Sequence, residues 1–147
     1  MRVTVRGPVT GARIAAELLA GGVPLPDGHA LWTLAERPDL DAAISVHNMA
    51  AWPEFMLHDA VANRLWDHLH GPLSPFQLLL IGPDGSIAAA GNSAPLAWDG
   101  TDEGLPDGWD DQFERSVADL VAGRQVDTLG ALQVVVAADR TPEATSG

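Results

Sequence analysis

From residue 30 onward the apolar positions of this chain change period several times, and each change marks an element. Residues 30–35, Ala-Leu-Trp-Thr-Leu-Ala, read as a strand. Pro38 suits a first helical position, because its missing N–H has no intrahelical partner there. A helix running from it to about residue 50 places Leu40, Ile44 and His47 on one face. Residues 52–58 read as a connecting loop. Asp59 is the expected N-cap of a second helix, which Gly71-Pro72 ends. Val61, Leu65 and Leu69 recur every four residues on its inner face, with Trp66 beside them. Residues 76–81 form a strand, Gly82-Pro83-Asp84-Gly85 a hairpin turn, and residues 86–98 the return strand, in which Gly91-Asn92 predicts a bulge. Trp109, Phe113, Val117 and Leu120 have helical spacing, with Asp107 as candidate N-cap and Gly123 as stop. Residues 129–137 are a last apolar strand. The pattern predicts a mixed α/β fold, a mostly antiparallel sheet with helices packed on it. Trp66, Phe76, Leu78, Leu80, Leu132 and Val134 are the expected core.

The ends of the chain are patterned differently. Val3 and Val5 alternate with polar neighbours, residues 10–20 suit a helix capped by Thr10 and ended by Gly21-Gly22, and residues 23–28 read as a loop. Residues 1–28 are therefore expected to be an appendage to a single globular unit at 29–140. Residues 141–147 are small and polar, contain a Pro and lack apolar period, so they are expected to be a disordered tail.

Composition narrows the functional classes. The chain has 147 residues and a formal net charge of -12, with 8 basic residues that are all Arg. Phosphate neutralisation needs basic side chains, so a nucleic-acid partner is not expected. Cysteine is absent, which removes disulfides, thiolate metal sites and a Cys nucleophile. No apolar run is long enough to span a membrane, and Gly7, Pro8 and Thr10 stand where a signal peptide has its apolar segment, so a cytoplasmic protein is expected. The histidines suggest a metal, but His68 and His70 are two apart on a helix and point in different directions, and His58 lies at its other end. No metal site is expected. Ser45, Ser93 and Ser116 lack the nucleophile-elbow context of a hydrolase. The acidic stretch from Asp99 to Asp119 either recruits a cation or serves as a solvated loop and helix face.

Several stretches, taken in order, resemble the GNAT-type N-acetyltransferase superfamily over about residues 30–140. They are Thr33-Leu34-Ala35-Glu36-Arg37-Pro38-Asp39-Leu40, Trp52-Pro53-Glu54-Phe55-Met56-Leu57-His58-Asp59, Ala89-Ala90-Gly91-Asn92, Trp98-Asp99-Gly100-Thr101 and Leu105-Pro106-Asp107-Gly108-Trp109-Asp110. The resemblance is to the first half of that fold. It implies transfer of an acetyl group from acetyl-CoA to an amine, with the amine attacking the thioester carbonyl while a base removes a proton and a backbone N–H polarises the carbonyl. It also implies that the strand at 129–137 pairs with the pantetheine arm through Val135, Val136 and Ala137, and that Trp52, Glu54 and Phe55 border the acceptor pocket. Glu54 is the candidate base or amine-binding carboxylate. The alternative is that Trp52 and Phe55 fill core between two helices. Asn92 either enters the pocket through a bulge or satisfies its own backbone.

In the family a glycine-rich loop follows this strand and binds pyrophosphate at a helix N-terminus. Arg140 matches the start of that loop, but Thr141-Pro142-Glu143-Ala144 lacks the glycines. The resemblance thus implies a shortened relative or half of a split enzyme, inactive alone and with weak hold on acetyl-CoA. The alternative function is a non-catalytic binding or assembly module that pairs through an open sheet edge. Its expected partner is a second copy or a missing C-terminal half.

Overall fold

The computed structural model describes residues 22–138. The expectations for residues 1–21 and for the 141–147 tail lie outside them. Five strands form one wholly antiparallel sheet in chain order: β1 (Val23–Pro24), β2 (Ala30–Thr33), β3 (Leu78–Ile81), β4 (Ile87–Leu96) and β5 (Thr128–Val136). The helices are α1 (Asp41–Ala51), α2 (Glu54–Leu57), α3 (Ala60–Leu65), α4 (Asp67–His70) and α5 (Trp109–Ala122). The mixed α/β expectation holds. Residues 23–28 are not all loop, because Val23 and Pro24 pair with Leu31 and Ala30.

Local chemistry explains most of these elements. Pro38 opens a single 3-10 turn, Pro38–Leu40, that leads into α1. Asp59 caps α3, its carboxylate accepting from Ala62 N at 2.7 Å. That hydrogen bond satisfies one of the N–H groups that a helix start leaves open. The periodic stretch after Asp59 is two short helices joined at Trp66, where the Leu69 N–H donates to the Trp66 carbonyl at 2.9 Å in place of a regular α-helical partner. The loop expected at 52–58 contains the single turn α2. The N-cap of α5 is Gly108, not Asp107. Asp107 instead donates its N–H to the Asp111 carboxylate at 3.0 Å, and Asp110 and Asp111 lie at the positive end of the helix dipole. Gly123 ends α5 with φ +64°, in the left-handed region that glycine enters without a Cβ clash.

The core lies on one face of the sheet. Leu34, Ile44, Leu79, Ile81 and Ala90 form one buried cluster, and Leu65, Leu69, Leu73, Phe76, Ala94, Phe113, Val117 and Leu132 form another. Helices α1, α3, α4 and α5 all contribute to this face. Of the expected core, Phe76 and Leu132 are buried and Trp66 packs against them, but Leu78, Leu80 and Val134 point the other way. Leu79 is fully buried while Val134 is 72% exposed. The reason is that Leu78-Leu79-Leu80-Ile81 has no polar residue to set its phase, and a one-residue shift in a strand exchanges its faces.

The expected irregularity in β4 exists, but the extra residue sits on β5. Asn92 pairs with Gln133 and Ser93 with Ala131, so Leu132 is the unpaired residue. The bulge turns two successive side chains, Leu132 and Gln133, toward the helices.

Candidate functional site

Bulge, helix starts and interhelical loop converge on β5. Among the described residues β5 pairs only with β4 and so forms a sheet edge. Ala137 N donates to Ala88 O at 2.9 Å. By the alternation of an antiparallel ladder, Val135 also bonds toward β4, and the N–H and C=O groups of Val134 and Val136 face outward. Along this edge runs a cleft of about 610 Å³, lined by Trp52, Phe55, Asp59, Trp109, Asp110 and residues 132–136.

Side chains from the helices fix the cleft's walls. Trp109 donates its indole N–H to Leu132 O at 2.9 Å, and Gln112 donates to Ala131 O at 3.0 Å, so the start of α5 is tied to β5 at the bulge. His47 Nε2 lies 3.0 Å from Val135 O and, in the tautomer that carries a proton there, donates to it from α1. Trp52 donates its indole N–H to Gln133 Oε1 at 2.7 Å and meets Trp66 edge to face at 4.7 Å between centroids.

Behind these walls is a buried chain of amides. Asn48 Nδ2 donates to Asn92 Oδ1 at 3.2 Å, Gln133 Nε2 donates to the same oxygen at 2.9 Å, and Asn92 Nδ2 donates to Gln77 Oε1 at 3.0 Å. These bonds join α1, β4, β5 and the start of β3. In a low-dielectric interior the bonds of such a network reinforce one another and favour one arrangement.

The residues singled out from sequence separate accordingly. Trp52, Phe55, Val135 and Val136 line the cleft. Ala137 lies just past β5, its N–H engaged with β4. Glu54 has a side chain 90% exposed and 3.9 Å from His58 Nε2, away from the cleft lining. Asn92 is buried within the amide chain and is not in that lining. Sequence reasoning did not single out Asn48, Gln77, Gln133 or His47 for the site, and it read Trp109 and Asp110 as helix and resembling stretch, with Asp110 also in the acidic run, without placing either at the site. Their signal was a lone polar residue at an apolar phase, as with Gln133 inside Leu-Gln-Val-Val-Val.

Acids around the cleft outnumber bases. Its lining contains Asp59 and Asp110 and no Arg or His. Outside the cleft lining, the Asp99 carboxyl is held below the usual carboxylate range by the Thr101 backbone N–H and hydroxyl. Among the described residues, no group of three or more His, Asp or Glu side chains is placed to share a metal ion, and no helix is long and apolar enough to cross a membrane.

No family model and no solved structure matches the chain. The chain is similar to an acetyltransferase. That relative is the arginine N-acetyltransferase avaD of Aspergillus versicolor, 33% identical over 134 residues that cover 82% of this chain and 46% of the relative. The chain thus spans about half the length of the curated relative it matches.

Proposed function

We propose that this chain takes part in acetyl transfer from acetyl-CoA to an amine, in the GNAT manner, and that the β5 cleft is where thioester and amine meet. The observation that carries the reading is the open edge at Val134 and Val136, forming one wall of a cleft whose other walls are indoles and carboxylates. The pantetheine arm has amides that can pair with such an edge as an added strand would. An outward N–H is also the donor a developing oxyanion needs. In the reaction the amine nitrogen bonds to the thioester carbon, the C–S bond breaks, and the proton lost by nitrogen ends on the CoA sulfur.

Asp110, exposed at the cleft, suits the cationic part of an acceptor. A guanidinium-bearing amine such as arginine, the acceptor in the relative's name, is the first candidate. The lining offers the diphosphate no cation, so donor affinity is expected to be weak, about millimolar or roughly -4 kcal/mol.

The test uses the full chain. Acetyl-CoA is titrated while backbone amide resonances are followed, then arginine is added and free CoA thiol is measured. Because the protein has no Cys, it contributes no thiol background. The expected result is a shift centred on Val134 and Val136. Binding that leaves those amides unmoved, or micromolar binding elsewhere, contradicts the reading. Thiol release that requires arginine would extend it from binding to turnover.

The same open edge supports a second reading, pairing with another copy or with a separate C-terminal half. Sedimentation that shows concentration-dependent association, suppressed by acetyl-CoA, would place both events on one edge.

A further inference from the structure

The helix layer holds a second cavity that the transfer reading leaves unused. It lies between α1 and α3, shares the Trp52 indole with the β5 cleft, and has a volume of about 460 Å³. Met49, Leu57, Ala62 and Trp66 supply the rest of its apolar surface.

Asn48 is in the lining of this cavity and is 1% exposed. Its orientation is imposed by the amide chain. Gln77 Nε2 donates to two main-chain carbonyls, Leu73 O at 2.7 Å and Ser93 O at 2.9 Å, so Gln77 Oε1 is left as an acceptor. Asn92 must then turn Nδ2 toward it, at 3.0 Å, which leaves Asn92 Oδ1 to accept from Asn48 Nδ2. Asn48 Oδ1 is thereby fixed as the remaining acceptor, and among the described residues it has no hydrogen-bond partner. A buried acceptor without a partner carries its whole desolvation penalty.

The other polar groups of the lining point to the same kind of guest. The Ser45 hydroxyl donates to Asp41 O at 3.1 Å and Asn63 Nδ2 donates to Leu57 O at 3.1 Å. Both keep a side-chain oxygen able to accept, Asp67 adds a carboxylate, and the lining contains no Arg or His. Acceptors, one negative charge and two indoles suit a donor that is positively charged.

We propose that this cavity binds a small organic cation, an alkyl ammonium or alkyl guanidinium. Its N–H groups donate to Asn48 Oδ1 and the Asp67 carboxylate, and its chain lies against Trp52 and Trp66. The proposal does not depend on acetyl transfer in the β5 cleft.

The full chain, without acetyl-CoA, is titrated with n-butylammonium or n-butylguanidinium chloride. The readouts are the Asn48 side-chain amide and the Trp66 indole N–H resonance. Sodium chloride at equal ionic strength and n-butanol are the controls. The expected result is saturable shifts of both signals with the cations and neither control. Asn48→Leu should weaken binding by about tenfold or more, and Asp67→Asn by about two- to fivefold. Equal response to butanol, or no response to either cation, overturns the proposal and leaves a cavity holding water only. Wild-type affinity in both variants also overturns it. If Asn48→Leu does not fold, Asp67→Asn, at an exposed position, and the butanol comparison decide the matter.

Discussion

The two faces of the sheet are built from the same few residue types and treat them in opposite ways. On the helix-covered face, Leu79, Ala90, Ala94 and Leu132 are sealed, and the polar residues among them, Gln77, Asn92 and Gln133, bond to one another and to backbone. On the other face, Val23, Leu31, Leu80, Ala89 and Val136 stand in one row across all five strands, followed by Leu78, Gly91 and Val134 in the next. Apart from Thr33, which pairs with Leu78 and is buried, both rows are apolar, yet Leu78, Val134 and Val136 are exposed among the described residues. The difference teaches that apolar content alone does not say which face is core here. The face that carries amides is the one the helices close, where neighbouring strands, the bulge, α1 and the Leu73 carbonyl all supply partners to those amides.

The largest expected effect tests that assignment directly. Leu79→Ala should cost about 2–5 kcal/mol in urea unfolding, as for a truncated, fully buried Leu. Leu80→Ala, one residue along, should cost clearly less. Equal losses would mean that both faces are packed and would erase the contrast.

Asn92→Leu comes next. It removes the centre of the amide chain and leaves Gln77 Oε1 without one of its donors, at a cost of about 1–3 kcal/mol. A melting temperature unchanged by this substitution would show that the amides do not hold the covered face together.

The edge of β5 offers a finer contrast. Val135 bonds toward β4, so Val135→Pro removes a ladder hydrogen bond and should destabilise by about 1 kcal/mol or more. The N–H of Val136 faces outward, so Val136→Pro should leave stability closer to wild type while reducing acetyl-CoA binding. Hydrogen exchange along β4 and β5 separates the two outcomes, since Val135→Pro alone removes the donor to Ala90 O and should loosen protection in the neighbouring ladder bonds. Smallest of all, Val134→Lys should stay within about 0.5 kcal/mol of wild type, because the side chain is 72% exposed. A larger loss would reveal a packed partner on the open face.

Much of the fold was legible before any coordinates. The cap at Asp59, the stop at Gly123, the turn at residues 82–85 and the helical spacing of Trp109, Phe113 and Val117 are local signals, and each is where the sequence puts it. The phase of β3 was not legible, because four successive apolar residues carry no alternation. Nor was the side of the bulge, since Gly91-Asn92 marks the pair of strands but not the strand that holds the extra residue. The site was half legible. Trp52 and Phe55 were placed by resemblance, whereas the amide chain joins positions as far apart as Asn48 and Gln133, and no local pattern links them.

The perpendicular contact of Trp52 with Trp66, at 4.7 Å and 87°, has an optical consequence. Two indoles this close exchange excitation energy, and a fixed, asymmetric arrangement of such chromophores rotates polarised light. The pair spans the junction of α1 and α3 and borders both cavities, so the protein has an internal gauge of that junction. A guest that tilts either ring by a few degrees will change the tryptophan circular dichroism band without any added label.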